Sequence, residues 1–171
     1  RRMASGIRGL TDFVSYHWHG DLPGLKAFRT DIERMHRDAG YDSPKFANTE
    51  MGYHMPTVGA ERSNTVYEMQ KLLYCWAHGD LGVLLYASRE LWWPRQHDRE
   101  YGFVDYFFCP RFVYGTASAF LDKYAGFRFS RMLKETDNLH VYEFVSGKKR
   151  MVAAFAVNTP VKIELTSDAR A

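Results

Sequence analysis

Cysteine is scarce in this chain: Cys75 and Cys109 are the two present in 171 residues. Two cysteines exclude a disulfide scaffold, their spacing matches no metal motif, and whether they pair is left open. Long apolar runs are also missing, and no stretch approaches the ~18 residues of a membrane-spanning helix. Charge of one sign is lacking too. With 23 basic and 20 acidic residues the net charge is +3, and no block of like charges suits a nucleic-acid arm. The one basic run, Lys148-Lys149-Arg150, follows Ser146-Gly147 and reads as the solvated tip of a hairpin. No GxGxxG or GxxxxGK loop follows a strand-like segment, and there is no Gly-x-Ser-x-Gly elbow. These absences remove nucleotide-binding and serine-hydrolase chemistry, and no cofactor, nucleic-acid partner or membrane partner is expected.

Aromatic residues are plentiful, at 16% of the chain, with four Trp, eleven Tyr and twelve Phe. Such density lines carbohydrate clefts, and it also simply builds large cores. Residues 12–19 (Asp-Phe-Val-Ser-Tyr-His-Trp-His) have strand composition and close at Gly20-Asp21. Apolar residues at Leu25, Phe28, Ile32 and Met35 then mark an amphipathic helix that Gly40 stops. A second strand spans 44–50. A second helix carries Val66, Met69, Leu73 and Trp76 on one face, with Thr65 and Glu68 at capping-box spacing near its start and Gly79 at its end. Residues 81–91 supply a third strand around Val83-Leu84-Leu85-Tyr86, and 111–124 a third helix with Gly126 as its stop.

Three strand–helix repeats in a row predict a parallel sheet with helices packed outside it. After Gly126 the period changes. Segments 140–146, 150–157 and 161–165 have strand composition, and Val161, Ile163 and Leu165 alternate with Lys162 and Glu164. A small antiparallel β-module is therefore expected to follow the α/β part. Three βα units fall short of a closed eight-stranded barrel, which takes ~250 residues. Without a phosphate loop to mark an open doubly wound sheet, the pattern predicts the C-terminal portion of a TIM (β/α)8 barrel. Residues 1–127 form that portion and 128–171 the appended strands. The chain begins Arg1-Arg2-Met3, with neither an initiator methionine at position 1 nor an apolar leader, and is expected to be a portion of a longer protein. An extracellular location follows if a signal peptide precedes it.

The segment Lys45-Phe46-Ala47-Asn48-Thr49-Glu50-Met51-Gly52 is the most informative. It is a short strand stopping at a carboxylate. Glutamate does not favour a strand interior, whereas the carboxyl ends of parallel barrel strands are where active sites are built. The bland alternative is a surface salt bridge.

The order of these pieces resembles strands six, seven and eight of retaining β/α-barrel glycoside hydrolases, of the cellulase-like and β-xylosidase/α-iduronidase-like kinds. The resemblance rests on residues 12–19, on Pro44-Lys-Phe-Ala-Asn-Thr-Glu50-Met-Gly and on Gly82-Val-Leu-Leu-Tyr86. It extends to Tyr101-Gly-Phe-Val-Asp-Tyr106, Pro110-Arg-Phe-Val-Tyr114, Val141-Tyr-Glu-Phe144 and Met151-Val-Ala-Ala-Phe155. The resemblance implies that Glu50 is the catalytic nucleophile. It implies that His17 lies beside Glu50 and substrate, and that His19 takes a place where many members carry a tyrosine bonded to the nucleophile. Tyr86 matches a position near the floor of the sugar site, with Leu85 where tryptophan is common. Trp92 and Trp93 would stack on sugar faces or anchor the long loop that follows the third strand. In these families the acid/base is an Asn-Glu pair after strand four, and this chain contains no Asn-Glu dipeptide. The resemblance thus implies half an active site, partnered by a carbohydrate substrate and by the missing N-terminal part of the barrel.

Other chemistries compete. His17-Trp18-His19 puts two imidazoles on one strand face, as a metal pair would, although a metal site needs three or four ligands and none is expected. Cys75 falls mid-helix, a poor place for a nucleophile. Arg89 and Glu90 follow the third strand, where they would meet substrate hydroxyls or pair on the surface. A non-catalytic carbohydrate-binding or structural protein derived from such a barrel, or a small α/β enzyme complete at this length, would share these patterns.

Overall fold

A computed structural model describes residues 12–41, 45–54, 60–89 and 101–164. The chain runs β1 (Val14–Trp18), α1 (Leu22–Asp38), β2 (Phe46–Met51), α2 (Glu61–Ala77), β3 (Val83–Leu85), α3 (Phe112–Tyr124), β4 (Arg128–Glu135), β5 (Leu139–Ser146) and β6 (Lys149–Ala156). Strands β1, β2 and β3 lie in that order in one parallel sheet, and β4, β5 and β6 form an antiparallel one. The expected strand–helix alternation is therefore present, as is a separate antiparallel sheet.

Local chemistry sets the helix ends. Asp21 caps α1 by accepting the Gly24 N–H at 2.9 Å, and Pro23 sits in the first turn, where its missing N–H costs nothing. Gly40 and Gly79 follow α1 and α2 with φ of +86° and +77°, the left-handed conformation that a side chain disfavours. The expected Thr65–Glu68 capping box does not form. The helix begins a turn earlier, Thr65 Oγ1 donates to the Glu61 carbonyl, and both Thr65 and Glu68 are buried.

Helices α1 and α2 cover one face of the parallel sheet. Tyr16, Phe46 and Met51 from the strands pack with Leu22 and Leu25 of α1 and Tyr74 and Cys75 of α2. The expected apolar stripe of α2 is differently used: Val66 is exposed, and Leu73 and Trp76 pack against the antiparallel sheet, Trp76 lying 4.4 Å from Phe144. Two further expectations are corrected. Strand β4 exposes Met132 and Leu133 together with Arg128, Ser130, Arg131 and Lys134, so its sequence shows no strand alternation. Residues 161–164 are not a strand, and Leu165 lies outside the described residues.

One feature of β2 decides where its side chains point. Tyr16 pairs with Asn48 and His17 with Glu50, so Thr49 is an extra residue against β1. Against β3 the same excess recurs, Asn48 pairing with Val83 and Met51 with Leu85. Such a bulge breaks the strict alternation of a strand. Met51 consequently enters the helix-side core beside Trp18, and Glu50 lies with His17 on the opposite face.

A buried ion pair ties the sheet to its helices. Arg29 of α1 donates to the Asp80 carboxylate just ahead of β3 and, at 3.3 Å each, to the Tyr16 hydroxyl and the His78 carbonyl. Tyr16 donates to Asp80 at 2.6 Å, and the guanidinium lies 4.7 Å from the Phe46 ring centre. Removing one member strands the other charge in the interior. Arg29→Met is therefore expected to cost about 3–5 kcal/mol by urea denaturation. A loss under about 1 kcal/mol, the scale of an exposed pair, would show that the pair is dispensable.

The seam between α2 and the antiparallel sheet is titratable. Tyr142 donates to Glu135 at 2.7 Å, His78 at the C-cap of α2 approaches the same carboxylate at 3.1 Å, and His140 Nδ1 lies 2.7 Å from the Tyr142 oxygen. Burial, joined by the charge of Lys26 from α1, holds His140 below its ordinary value. Burial pushes Glu135 up, but hydrogen bonds from Tyr142 and His78 outweigh it and leave the carboxyl lowered. A depressed imidazole makes the unfolded chain take up its proton first, so stability falls as pH drops below about 6.5. A depressed carboxylate loses its contribution as pH falls through its folded value, in the same direction. The Tm is expected to drop between pH 7 and 5, and His140→Gln to flatten that slope. Equal slopes in the two proteins would remove His140 from the linkage.

A candidate active site at the end of the parallel strands

Glu50 stands in the last turn of the β2 ladder, at the carboxyl end of the sheet. The ladder ends immediately after it, with the Tyr86 N–H donating to the Met51 carbonyl at 2.7 Å and the Gly52 N–H to that of Trp18 at 3.3 Å. Its half-buried carboxylate is bracketed by two imidazoles. His19 Nε2 lies 2.8 Å from Oε1, and His17 Nδ1 lies 3.4 Å from Oε2. The bulge makes this possible, because it sets Glu50 beside His17, and His19 follows two residues later on the same side.

His19 is fixed by its surroundings. Its Nδ1 is buried without a hydrogen-bond partner, so the tautomer that fits carries its proton on Nε2 and donates it to Glu50. The ring meets Tyr86 and Tyr101 edge-on, with centroids 5.3 and 5.2 Å away. Gly52 closes the box from below: a Cβ there would come within 2.8 Å of both His19 Nδ1 and Tyr101 Cδ1. Only glycine allows that approach. His17, by contrast, is mostly exposed.

The residues predicted from the sequence divide as follows. Glu50, His17, His19 and Tyr86 come together. Trp92 and Trp93 lie outside the described residues, as does Glu90. Arg89 turns to an aromatic loop, its guanidinium 3.7 Å from the Phe108 ring centre and its Nη2 donating to the Tyr106 carbonyl at 3.0 Å. Among the described residues no group of three His, Cys, Asp or Glu side chains is placed to hold a metal ion. Cys75 is buried in α2, where burial pushes its thiol up to about 12, and an un-ionised thiol is a poor nucleophile. Cys109 is likewise free.

Sequence reasoning missed Tyr101, which touches His19, and considered His54 only as an extra metal ligand, whereas its ring lies 5.5 Å from that of Tyr101. It also missed the support behind the site. Lys71 of α2 donates to the Gly52 carbonyl, and Asn64 Nδ2 to the Tyr53 carbonyl at 2.5 Å. Lys71 is fully buried, with Glu68 Oε2 at 3.5 Å as its counter-charge. Burial raises Glu68 to about 7 against the pull of Lys71, and lowers Lys71 against the pull of Glu68.

A carboxylate with both oxygens held, on the face of a parallel sheet opposite its helices, can act as a nucleophile or as an acid/base group. No protein-family profile matches the chain, and no curated protein matches it. Among solved structures the fold is similar to that of a family 39 glycoside hydrolase from the gut symbiont Bacteroides cellulosilyticus WH2, with a TM-score of 0.65 at 15% identity. The match covers 94% of this chain and 39% of that one, so the chain spans about two fifths of the length of the glycosidase whose fold it shares.

Proposed function

We propose that this chain carries the nucleophile half of the active site of a retaining β/α-barrel glycoside hydrolase, with Glu50 as the nucleophile. The observation that supports this most is the position of Glu50 at the carboxyl end of β2, with His19 on one oxygen and His17 on the other. The fold shared with part of a glycosidase supports the class of reaction. In this reading the sheet β1-β2-β3 supplies strands six to eight of the barrel, and the face opposite α1 and α2 is the barrel interior.

The His19 N–H fixes the plane of the carboxylate and leaves Oε2, beside the exposed His17, to approach the anomeric carbon. Attack forms a glycosyl ester on Glu50 and expels the leaving alcohol. Water then cleaves the ester, with net retention at the anomeric centre. A second carboxyl group about 5–5.5 Å away protonates the leaving oxygen and then activates the water. The proposal assigns that group, and the remaining strands, to polypeptide outside this sequence. The rings of Tyr86 and Tyr101 border the position where the sugar would lie.

A 2,4-dinitrophenyl 2-deoxy-2-fluoroglycoside tests the assignment without the acid/base, because its leaving group departs unprotonated. Across a panel of sugars, the longest protein containing this chain is expected to release one equivalent of dinitrophenolate. Mass spectrometry should then find the sugar esterified to Glu50. Glu50→Gln is expected to abolish labelling and to lower turnover of the matching aryl glycoside by at least about 10³-fold. Labelling at another residue, or wild-type turnover in Glu50→Gln, rejects the assignment. Sugar binding without any labelling would favour a non-catalytic carbohydrate-binding protein.

A further inference from the structure

We infer that Lys71 and Asn64, on the far side of the sheet from the site, are positioning residues that set the geometry of the His19–Glu50 pair through the backbone of Gly52 and Tyr53. The inference rests on the proposed role of Glu50 for its catalytic consequence, but not for its structural content.

A helix packed on a sheet normally presents an apolar stripe. On α2 the buried residues Asn64, Glu68 and Lys71, spaced at three and four residues, bring polar groups into that contact ahead of the apolar Tyr74 and Cys75, with Lys71 at 0% and Glu68 at 2% exposure. Burying a lysine and a glutamate together is no gain over a well-packed apolar pair of the same volume. What the polar stripe does that an apolar one could not is donate to the backbone carbonyls of a strand end. The Gly52 and Tyr53 carbonyls come immediately after the β2 ladder, and α2 takes them both, one through Lys71 Nζ and one through Asn64 Nδ2. Tyr53 is held further by stacking on Tyr67 of α2, with ring centres 4.4 Å apart and planes 29° from parallel.

Gly52 transmits this hold. On the site side it leaves no room for a Cβ, which would lie 2.8 Å from both His19 Nδ1 and Tyr101 Cδ1, while its carbonyl accepts from Lys71 behind. A shift of Gly52 toward the site would drive the His19 ring off Glu50 Oε1. A shift away would leave the ring without its support. The line of contacts is thus Lys71, Gly52, His19, Glu50, and each link is a hydrogen bond or a direct packing contact. Glu68 completes it as the counter-charge that lets an ammonium sit there at all.

The test replaces the buried pair rather than breaking it. In the longest protein containing this chain, Lys71→Met with Glu68→Leu removes the grip without orphaning a charge, and Lys71→Arg keeps a cationic donor. The double variant is expected to keep its Tm within a few degrees and its KM for the 2,4-dinitrophenyl glycoside within about twofold. Its kcat, and its rate of Glu50 labelling by the fluoroglycoside, should fall about ten- to a hundredfold, the scale set by small misplacements of reacting groups. Lys71→Arg should recover part of that loss. A separate readout holds if no glycoside labels the parent, which would count against the proposed function alone. The His19 Nε2–H proton resonance should move or broaden in the double variant, while the imidazole signals of His36 stay in place. An unmoved His19 resonance, or an unchanged kcat in a folded double variant, overturns the inference.

Discussion

The site depends on one extra residue in β2. Without the register shift at Thr49, the alternation that puts Phe46 and Asn48 on the helix side would put Glu50 there too. It would then stand in the core now occupied by Met51. With the shift, Met51 fills that core and the carboxylate faces the other side of the sheet, beside His17. The apolar core and the candidate chemistry are therefore one choice of register, because a single-residue slip moves every later side chain to the other face. The core enforces the aim of Glu50, since Met51 is fully buried among Leu22, Leu25 and Tyr74.

Two buried charge pairs then fasten the ends of this sheet. Near its start, Arg29 and Asp80 join α1, β1 and the approach to β3. At its carboxyl end, Lys71 and Glu68 hold the segment that leaves β2. Neither pair is a cheap source of stability, since desolvation offsets most of the attraction. Both satisfy backbone or hydroxyl groups at the edges of a short sheet, where the ladder itself supplies no partner. Precise geometry at a strand end calls for directional donors, and hydrocarbon offers none.

Parts of this arrangement were legible beforehand. The glycine stops at Gly40 and Gly79 follow from local backbone sterics, and the strand–helix alternation follows from short-range periodicity. The placement of Glu50 at a strand end followed from the break at Gly52. His17 and His19 drew notice as a pair, and the structure turns both onto Glu50. The stripe of α2 was misjudged because periodicity reports which residues are apolar, not which surface of the helix meets which neighbour. Leu73 and Trp76 found the antiparallel sheet, leaving the polar side for the parallel one. Strand β4 is not legible in the sequence because Met132 and Leu133 are exposed beside Arg131 and Lys134, so apolar and polar residues do not alternate, and its pairing comes from β5.

What the sequence by itself determined is local: where strands and helices start and stop, and that a carboxylate and two histidines lie at strand ends. These follow from propensity, capping and glycine conformation, which act over a few residues. Only the tertiary structure decided which residues meet. The hydrogen bond of His19 to Glu50 spans 31 residues, and the grip of Lys71 on Gly52 spans 19. Those contacts exist because parallel pairing and a bulge bring distant backbone segments into register, and no local preference of the chain encodes that register.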